Sequence, residues 1–265
     1  MPTVTSRDGT PIAYSRAGSG PPVILADGAL CSRAFGPMAS LSALLAPSFT
    51  VFTYDRRGRN ESGDTPPWSL DREVEDIAAL VAEAGGSACL FGVSSGAALA
   101  LEAARQGVPI ARLALYEAPF IVDGSHPPLA PDFIPNLRAA LEAGRRGQAV
   151  ASFMALVGVP AMGRAMMRLM PIWSKLKAVA HTLPYDLTIV EPFQQGRPLP
   201  AERWTSAAMP VLVGRGGKSP AWMQTAMQAL AGALPRGVLH TFDGQTHMVK
   251  AAAHGPRLIE FFGDR

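Results

Sequence analysis

Apolar positions along the chain fall into two rhythms. Short, nearly continuous apolar runs occupy residues 22–26, 49–54, 88–91, 113–116 and 211–213, as a strand buried on both faces requires. Residues 238–242 read as a last strand, and residues 3–6 and 11–17 as two short strands about the Asp8-Gly9 turn signal. Helical spacing covers 35–45, 71–84, a run from Gly96 onward, 220–234 and about 250–262. In the second of these Val74, Ile77, Ala78 and Val81 share one face. Strands alternating with helices predict the α/β class: a mostly parallel, eight-stranded sheet with helices on both faces.

The alternation stops between residues 120 and 203. Helix-like pieces separated by Pro and Gly fill this stretch, with no clear buried strand. It reads as a helical lid, residues 120–203, inserted into a core built from residues 1–119 and 204–265. Five of the 11 methionines lie in it: Met154, Met162, Met166, Met167 and Met170. Methionine fills irregular space and tolerates ligands of varied shape. These side chains are expected to pack lid on core, to wall an apolar substrate site, or both.

Composition narrows the function. The 265 residues are 48% hydrophobic, enough for one large core. Charged residues make up only 17%, with a net charge of +3 and no basic block, so nucleic acid binding is not indicated. The two cysteines, Cys31 and Cys89, lack metal-ligand spacing and nothing suggests a disulfide; a reducing cytoplasm is expected. Residues 1–9 contain no apolar signal core, and no apolar run is long enough to span a bilayer. The expected partner is a small molecule rather than nucleic acid or membrane, bound by a monomer or homodimer with no cofactor and no metal.

The chemistry concentrates at Gly92-Val93-Ser94-Ser95-Gly96. This is G-x-S-x-G between a strand-like and a helix-like run, the context of a nucleophile elbow. A strand that turns at once into a helix strains the turn residue and leaves its side chain clear of both elements. The glycines two positions away leave room where a Cβ would clash. The helix amino end aims free N–H groups at whatever reacts with Ser94. A serine nucleophile needs a base, and the base an orienting acid. Of the five histidines, His126 and His181 fall in the lid, His240 in the last strand and His254 in the last helix. His247, in the loop after the last strand, can reach over the sheet edge and is the candidate base.

The elbow, the order Ser…acid…His and the insertion after the strand that follows the elbow resemble the α/β-hydrolase superfamily. The resemblance spans nearly the whole chain, with two departures. Many members carry the acid after the penultimate strand, but here that loop reads Gly214-Arg215-Gly216-Gly217-Lys218-Ser219-Pro220, and no Asp or Glu occurs from Arg203 through Phe242. The other position used in the superfamily is the end of the strand after the elbow, which is Glu117 here. Its carboxylate is expected within about 2.6–3.2 Å of a His247 ring nitrogen. Asp243, four residues before His247, is the reserve and would need a sharply folded loop.

The second departure is Asp27, where many relatives have His before Gly. The resemblance implies an oxyanion hole from the backbone N–H of Gly28 or Ala29 together with that of Ser95. A carboxylate beside a developing oxyanion must be turned away, paired or protonated, and Arg33 is the candidate partner in sequence. Asp27-Gly28, Ser94-Ser95-Gly96, Glu117-Ala118-Pro119 and Pro171-Ile172-Trp173 are together similar to the zearalenone-lactonase group, whose members open a macrocyclic resorcylic ester. The resemblance places the aspartate and the lid tryptophan at the substrate. The expected substrate-binding residues are Asp27, Leu30, Met154, Trp173 and Met248, with Trp173 alternatively a plain part of the lid core. These features predict a serine hydrolase cutting an ester or lactone of an apolar small molecule. A cofactor-free lyase, isomerase or cyclase on the same scaffold is the alternative, and a ligand-binding receptor with a vestigial triad is the third reading.

Overall fold

The computed structural model describes residues 2–264. Its strands are β1 (Thr3–Thr5), β2 (Pro11–Ala17), β3 (Pro22–Ala26), β4 (Thr50–Tyr54), β5 (Ala88–Val93), β6 (Ile110–Tyr116), β7 (Val211–Gly216) and β8 (Gly237–Phe242). They form one sheet in the order β1-β2-β4-β3-β5-β6-β7-β8. The first two pairings are antiparallel and the rest parallel. β4 and β5 bury every residue, which is why neither alternates apolar with charged positions; the threonines Thr50 and Thr53 of β4 are polar but uncharged.

The core helices are α1 (Met38–Leu45), α2 (Leu70–Glu83) and α3 (Ser95–Arg105). Five more follow β6: α4 (Phe133–Glu142), α5 (Arg146–Leu156), α6 (Ala161–Met167), α7 (Ile172–Ala178) and α8 (Leu183–Val190). α9 (Ala221–Ala233) and α10 (Ala251–Gly263) complete the set. Two apolar clusters divide the sheet faces. One joins the inner residues of α2, α3 and α9; the other joins those of α1 and α10. α3 runs next to the elbow strand and is buried from Ser95 through Ala104. Its Ala and Leu side chains let it lie close to the sheet.

Some boundaries differ from those read in the sequence. The first helix starts at Met38 rather than residue 35. Ser32 and Phe35 exchange backbone hydrogen bonds of 2.7 and 2.9 Å, closing a loop that Gly36, at φ 156°, and Pro37 extend. β7 continues three residues past Val213 because its glycines serve packing rather than turning. A Cβ on Gly214 would sit 2.8 Å from the Phe242 ring, and one on Gly216 2.6 Å from the Gln245 carbonyl oxygen.

The helices between β6 and β7 gather around a third cluster, in which Leu137, Ala149, Val150, Leu176, Leu183 and Leu187 are buried. The methionines of this insertion divide. Met154 and Met167 pack against the cluster, whereas Met162, Met166 and Met170 are 77, 61 and 52% exposed. α6 buries none of its residues, so these three neither fill a lid core nor wall an interior site.

Candidate active site

Ser94 sits between the end of β5 and the first residue of α3 with φ 57° and ψ −127°. A non-glycine residue held there carries strain on the order of 1–3 kcal/mol, and the flanking packing maintains it. Its N–H donates to the Tyr116 carbonyl at 2.9 Å. Although it occupies the N-cap position of α3, its hydroxyl does not cap the helix, unlike Ser69, which accepts from the Arg72 N–H at α2. The Ser94 side chain is therefore left for other partners. The glycines of the motif are required by close approach. A Cβ on Gly92 would lie 2.4 Å from the Gly96 carbonyl oxygen, and one on Gly96 would lie 2.5 Å from the carbonyl oxygens of Ala26 and Asp27.

Parallel register places Glu117 beside this turn. Val93 pairs with Tyr116, so the next residue on β6 stands next to Ser94 at the carboxyl edge of the sheet. Glu117 is 0% exposed and has φ 47°. Its Oε1 accepts from the Gly216 N–H at 2.7 Å, and its Oε2 lies 2.9 Å from His247 Nδ1. Burial alone would raise its pKa; the hydrogen bonds from His247 and from the Gly216 N–H outweigh burial and hold the carboxyl below its ordinary range. An ionised carboxylate only accepts, so Nδ1 is the donor in this contact, which leaves Nε2 as the lone-pair nitrogen of the neutral imidazole tautomer. The His247 loop is anchored by Tyr116, whose hydroxyl donates to the Thr246 carbonyl at 2.6 Å, and by the Lys218 N–H, which donates to the Gln245 carbonyl at 2.8 Å. Asp243 is exposed and is not the carboxylate that meets the ring.

Asp27 directly follows β3 and is 4% exposed. Its Oδ1 accepts from the Gly28 N–H at 2.9 Å, while Oδ2 is buried against Gly36 and Cys31, with the Cys31 thiol as its one weak neighbour and no conventional hydrogen bond. Burial pushes its pKa up to about 6. Arg33 is not its counter-ion: that guanidinium bonds Asp55, Ser15 and Glu61. Gly28 lies against the elbow, since a Cβ on it would be 3.1 Å from Ser94 Cβ and 3.7 Å from Ser94 Oγ. Of the two expected donors on this loop, the Gly28 N–H is turned to the Asp27 carboxylate. Ala29 and Ser95 have N–H groups with no acceptor among the described residues.

The sequence model of the alpha/beta hydrolase family matches residues 18–254. The chain belongs to that family. It is 50% identical to an alpha/beta hydrolase from Sphaerobacter thermophilus DSM 20745, over 98% of this chain and 100% of that one, with a TM-score of 0.91. A hydrolase from Pseudomonas aeruginosa PA01 is 21% identical over 99% of this chain and 98% of its own, at TM-score 0.75. The enol-lactonase from Burkholderia xenovorans LB400 is 19% identical over 99% and 100%, at TM-score 0.72. These two show likeness of fold. No curated protein sequence matches.

Within this family fold, the remaining expected site residues separate into two groups. Leu30 is 3% exposed, adopts φ 61° and belongs to the insertion's apolar cluster. Ala29, Phe35, Met154 and Trp173 pack partly buried against the same cluster. The loop after β3 and the insertion thus share one apolar surface. Arg168 lies over the Trp173 ring at 5.8 Å. Met248 does not join them. It is 62% exposed, because Val249 rather than Met248 turns into the core. Among the described residues no group of three or more His, Cys, Asp and Glu side chains could hold a metal ion, and no helix is long and apolar enough to cross a membrane.

A further set of buried ions was not foreseen. Arg56, Arg59 and Asp186 are each 1% exposed. Asp186, on α8, bonds Arg56 Nη1 at 2.6 Å and Arg59 Nη2 at 2.7 and 2.8 Å. Burial would raise its pKa, but the two guanidinium groups hold it below the ordinary carboxylate range. Glu73 balances the second positive charge through Arg56 Nε at 2.8 Å. In the sequence, Asp55-Arg56-Arg57-Gly58 has the form of a plain polar turn after β4. The available signals were an aspartate on the mostly apolar Leu183–Val190 helix and the crowding of Arg56, Arg57 and Arg59 after β4.

Proposed function

We propose that the protein is a serine hydrolase that cleaves an ester or lactone of an apolar small molecule through an acyl-enzyme. The observation that carries this reading is the 2.9 Å contact between Glu117 Oε2 and His247 Nδ1, at the sheet edge where Ser94 holds its positive-φ turn. Glu117 fixes the tautomer with Nε2 unprotonated and stabilises the imidazolium that forms. His247 Nε2 takes the Ser94 Oγ proton as Oγ attacks the substrate carbonyl. The N–H groups of Ala29 and Ser95 receive the oxyanion. His247 then protonates the leaving oxygen, and water, deprotonated by the same nitrogen, releases the acid and restores Ser94.

Substrate choice falls to the apolar surface shared by Ala29, Leu30, Phe35, Met154 and Trp173. Asp27 adds one polar anchor. A buried carboxyl next to Gly28, which itself lies against Ser94, with a pKa near 6, suits a substrate hydroxyl or carbonyl. Aromatic and macrocyclic lactones, of the kind the zearalenone-lactonase group opens, are the substrate class proposed. The same Asp27 favours the second reading, a cofactor-free lyase, isomerase or cyclase, since a carboxyl of that pKa can pass protons near neutrality.

A fluorophosphonate label at Ser94, combined with a panel of aryl esters and of lactones of graded ring size, separates the readings. Labelling with ester or lactone turnover supports hydrolysis. Labelling without such turnover supports the proton-transfer enzyme. Ligand binding without any turnover marks a receptor, and absence of labelling at Ser94 refutes the acyl-enzyme.

A further inference from the structure

The proposed oxyanion hole is assembled from two separate segments, the loop after β3 and the start of α3. The second orients itself. The Ser94 carbonyl accepts from the Ala97 and Ala98 N–H groups at 3.0 and 3.3 Å, which fixes the plane of the peptide whose other end is the Ser95 N–H. The first has no such local support. It contains a glycine, and Leu30 after it is held at φ 61°, a conformation that disfavours branched side chains.

What holds this loop comes from elsewhere in the chain. Arg59 Nη1 donates to the Gly28 carbonyl at 2.6 Å and to the Cys31 carbonyl at 3.1 Å. The Gly28 carbonyl and the Ala29 N–H are opposite ends of one planar peptide. A guanidinium clamped on the oxygen therefore sets the direction of the N–H. It also draws electron density toward the oxygen and strengthens the N–H as a donor. Arg56 repeats the arrangement one peptide earlier, with Nη1 3.3 Å from the Asp27 carbonyl oxygen, whose partner N–H, that of Gly28, is turned to Asp27 Oδ1.

Both guanidinium groups are positioned by Asp186 of the insertion. Its carboxylate receives the Arg59 fork, one Arg56 N–H and, at 2.7 Å, the Ser95 hydroxyl. One carboxylate on α8 therefore ties the loop after β3 to the amino end of α3.

We propose that Arg59, braced by Asp186, is a positioning residue that aims the Ala29 N–H into the oxyanion hole, so that the seating of α8 from the insertion sets the catalytic competence of Ser94. This rests on the serine hydrolase reading above. It makes the insertion more than a cover: its apolar cluster selects the substrate, and its one fully buried aspartate aligns the donor that stabilises the transition state.

The test compares wild type with Arg59→Lys and Asp186→Asn. Lysine keeps the charge but cannot hold two carbonyls and a carboxylate in one planar fork. The substrate is 4-nitrophenyl acetate, and the probe is an aryl trifluoromethyl ketone, which forms an anionic hemiketal with Ser94. Fluorophosphonate titration counts working sites, and thermal melting reports folding. The expected result is a fall in kcat on the order of 10- to 100-fold per titrated site, with KM within about two-fold of wild type. The ketone Ki should rise by the same factor as kcat/KM falls. An unchanged kcat and Ki per titrated site overturns the proposal, whether or not the number of sites falls, because a purely structural role loses sites and not donor strength. Should both variants fail to fold, the amide resonances of the 15N-labelled wild type decide. On ketone binding the Ala29 N–H should move strongly downfield and the Gly28 N–H should stay. A shifted Gly28 with an unmoved Ala29 overturns the assignment. If wild type itself neither labels nor binds the ketone, the hydrolase reading fails instead.

Discussion

Replacing Asp27 by Asn should stabilise the protein at neutral pH while impairing its chemistry. Asp27 is 4% exposed, and one of its two oxygens has no conventional hydrogen bond. Burial moves its pKa from 3.8 to about 6, which converts to about 3 kcal/mol of unfavourable free energy for the ionised form in the folded state. The sign follows from linkage. A carboxyl whose folded pKa lies above its unfolded pKa favours the folded state fully below pH 3.8, and that contribution is lost as pH rises through about 6. Asparagine mimics the neutral carboxyl at every pH. Its carbonyl can still accept from the Gly28 N–H, and its amide meets the same surroundings as Oδ2. The stability difference between variant and wild type should therefore grow between about pH 4 and 6 and level off above pH 7. The plateau should be about 3 kcal/mol at most, or several degrees in Tm for a chain of this size. Denaturant titration at closely spaced pH values measures the difference, and kcat/KM on aryl lactones measures the cost. A variant no more stable than wild type at pH 8, or a difference that does not change with pH, would refute the burial argument. Unchanged kinetics on the preferred substrate would remove Asp27 from the substrate site.

Three other substitutions address the remaining roles. Ser94→Ala should leave the melting temperature near wild type or above it and cut kcat on the order of a million-fold; retention of a tenth of the activity would exclude the acyl-enzyme. Glu117→Gln keeps an oxygen for the Gly216 N–H but can present an amide donor to His247, favouring the wrong tautomer, and should cost about 10,000-fold in kcat. Near-normal kcat in that variant would remove Glu117 from the mechanism. Trp173→Ala should raise KM for bulky aromatic esters well beyond its effect on a short acetate, whereas equal effects on both would mean that Trp173 is packing alone.

What could be read from the sequence was what neighbours in sequence determine. The runs that became β3 and β5 are apolar throughout because both faces of those strands are covered. Gly92 and Gly96 stand out because a Cβ at either would strike backbone within 2.5 Å, so the motif records a local steric constraint. Glu117 was expected because the resemblance to the superfamily offers two acid positions, and the usual loop carries no carboxylate. The same reasoning failed where the constraint is distant. Gly214 and Gly216 looked like turn residues, yet their lack of a side chain serves the Phe242 ring and the Gln245 backbone, partners that only the β7–β8 register brings close.

Arg59 and Asp186 are separated by 127 positions, and no periodic pattern links them. Each nevertheless breaks a local rule. Three arginines crowd the turn after β4, where they end with 1% exposure, and one aspartate interrupts an apolar helix whose other inner residues are Leu183, Pro184, Leu187, Ile189 and Val190. Burying any one of these charges alone would be strongly unfavourable, and together they are tolerable only because the cluster is paired and its hydrogen bonds are satisfied. An apolar cluster of the same volume would hold the insertion to the core at least as well, so stability alone does not account for it. Guanidinium groups have a capacity that apolar side chains lack: they fix the direction of carbonyl oxygens. Here those oxygens belong to Asp27, Gly28 and Cys31, in the loop beside the nucleophile. The violation of local rules and the proposed catalytic need therefore have the same address.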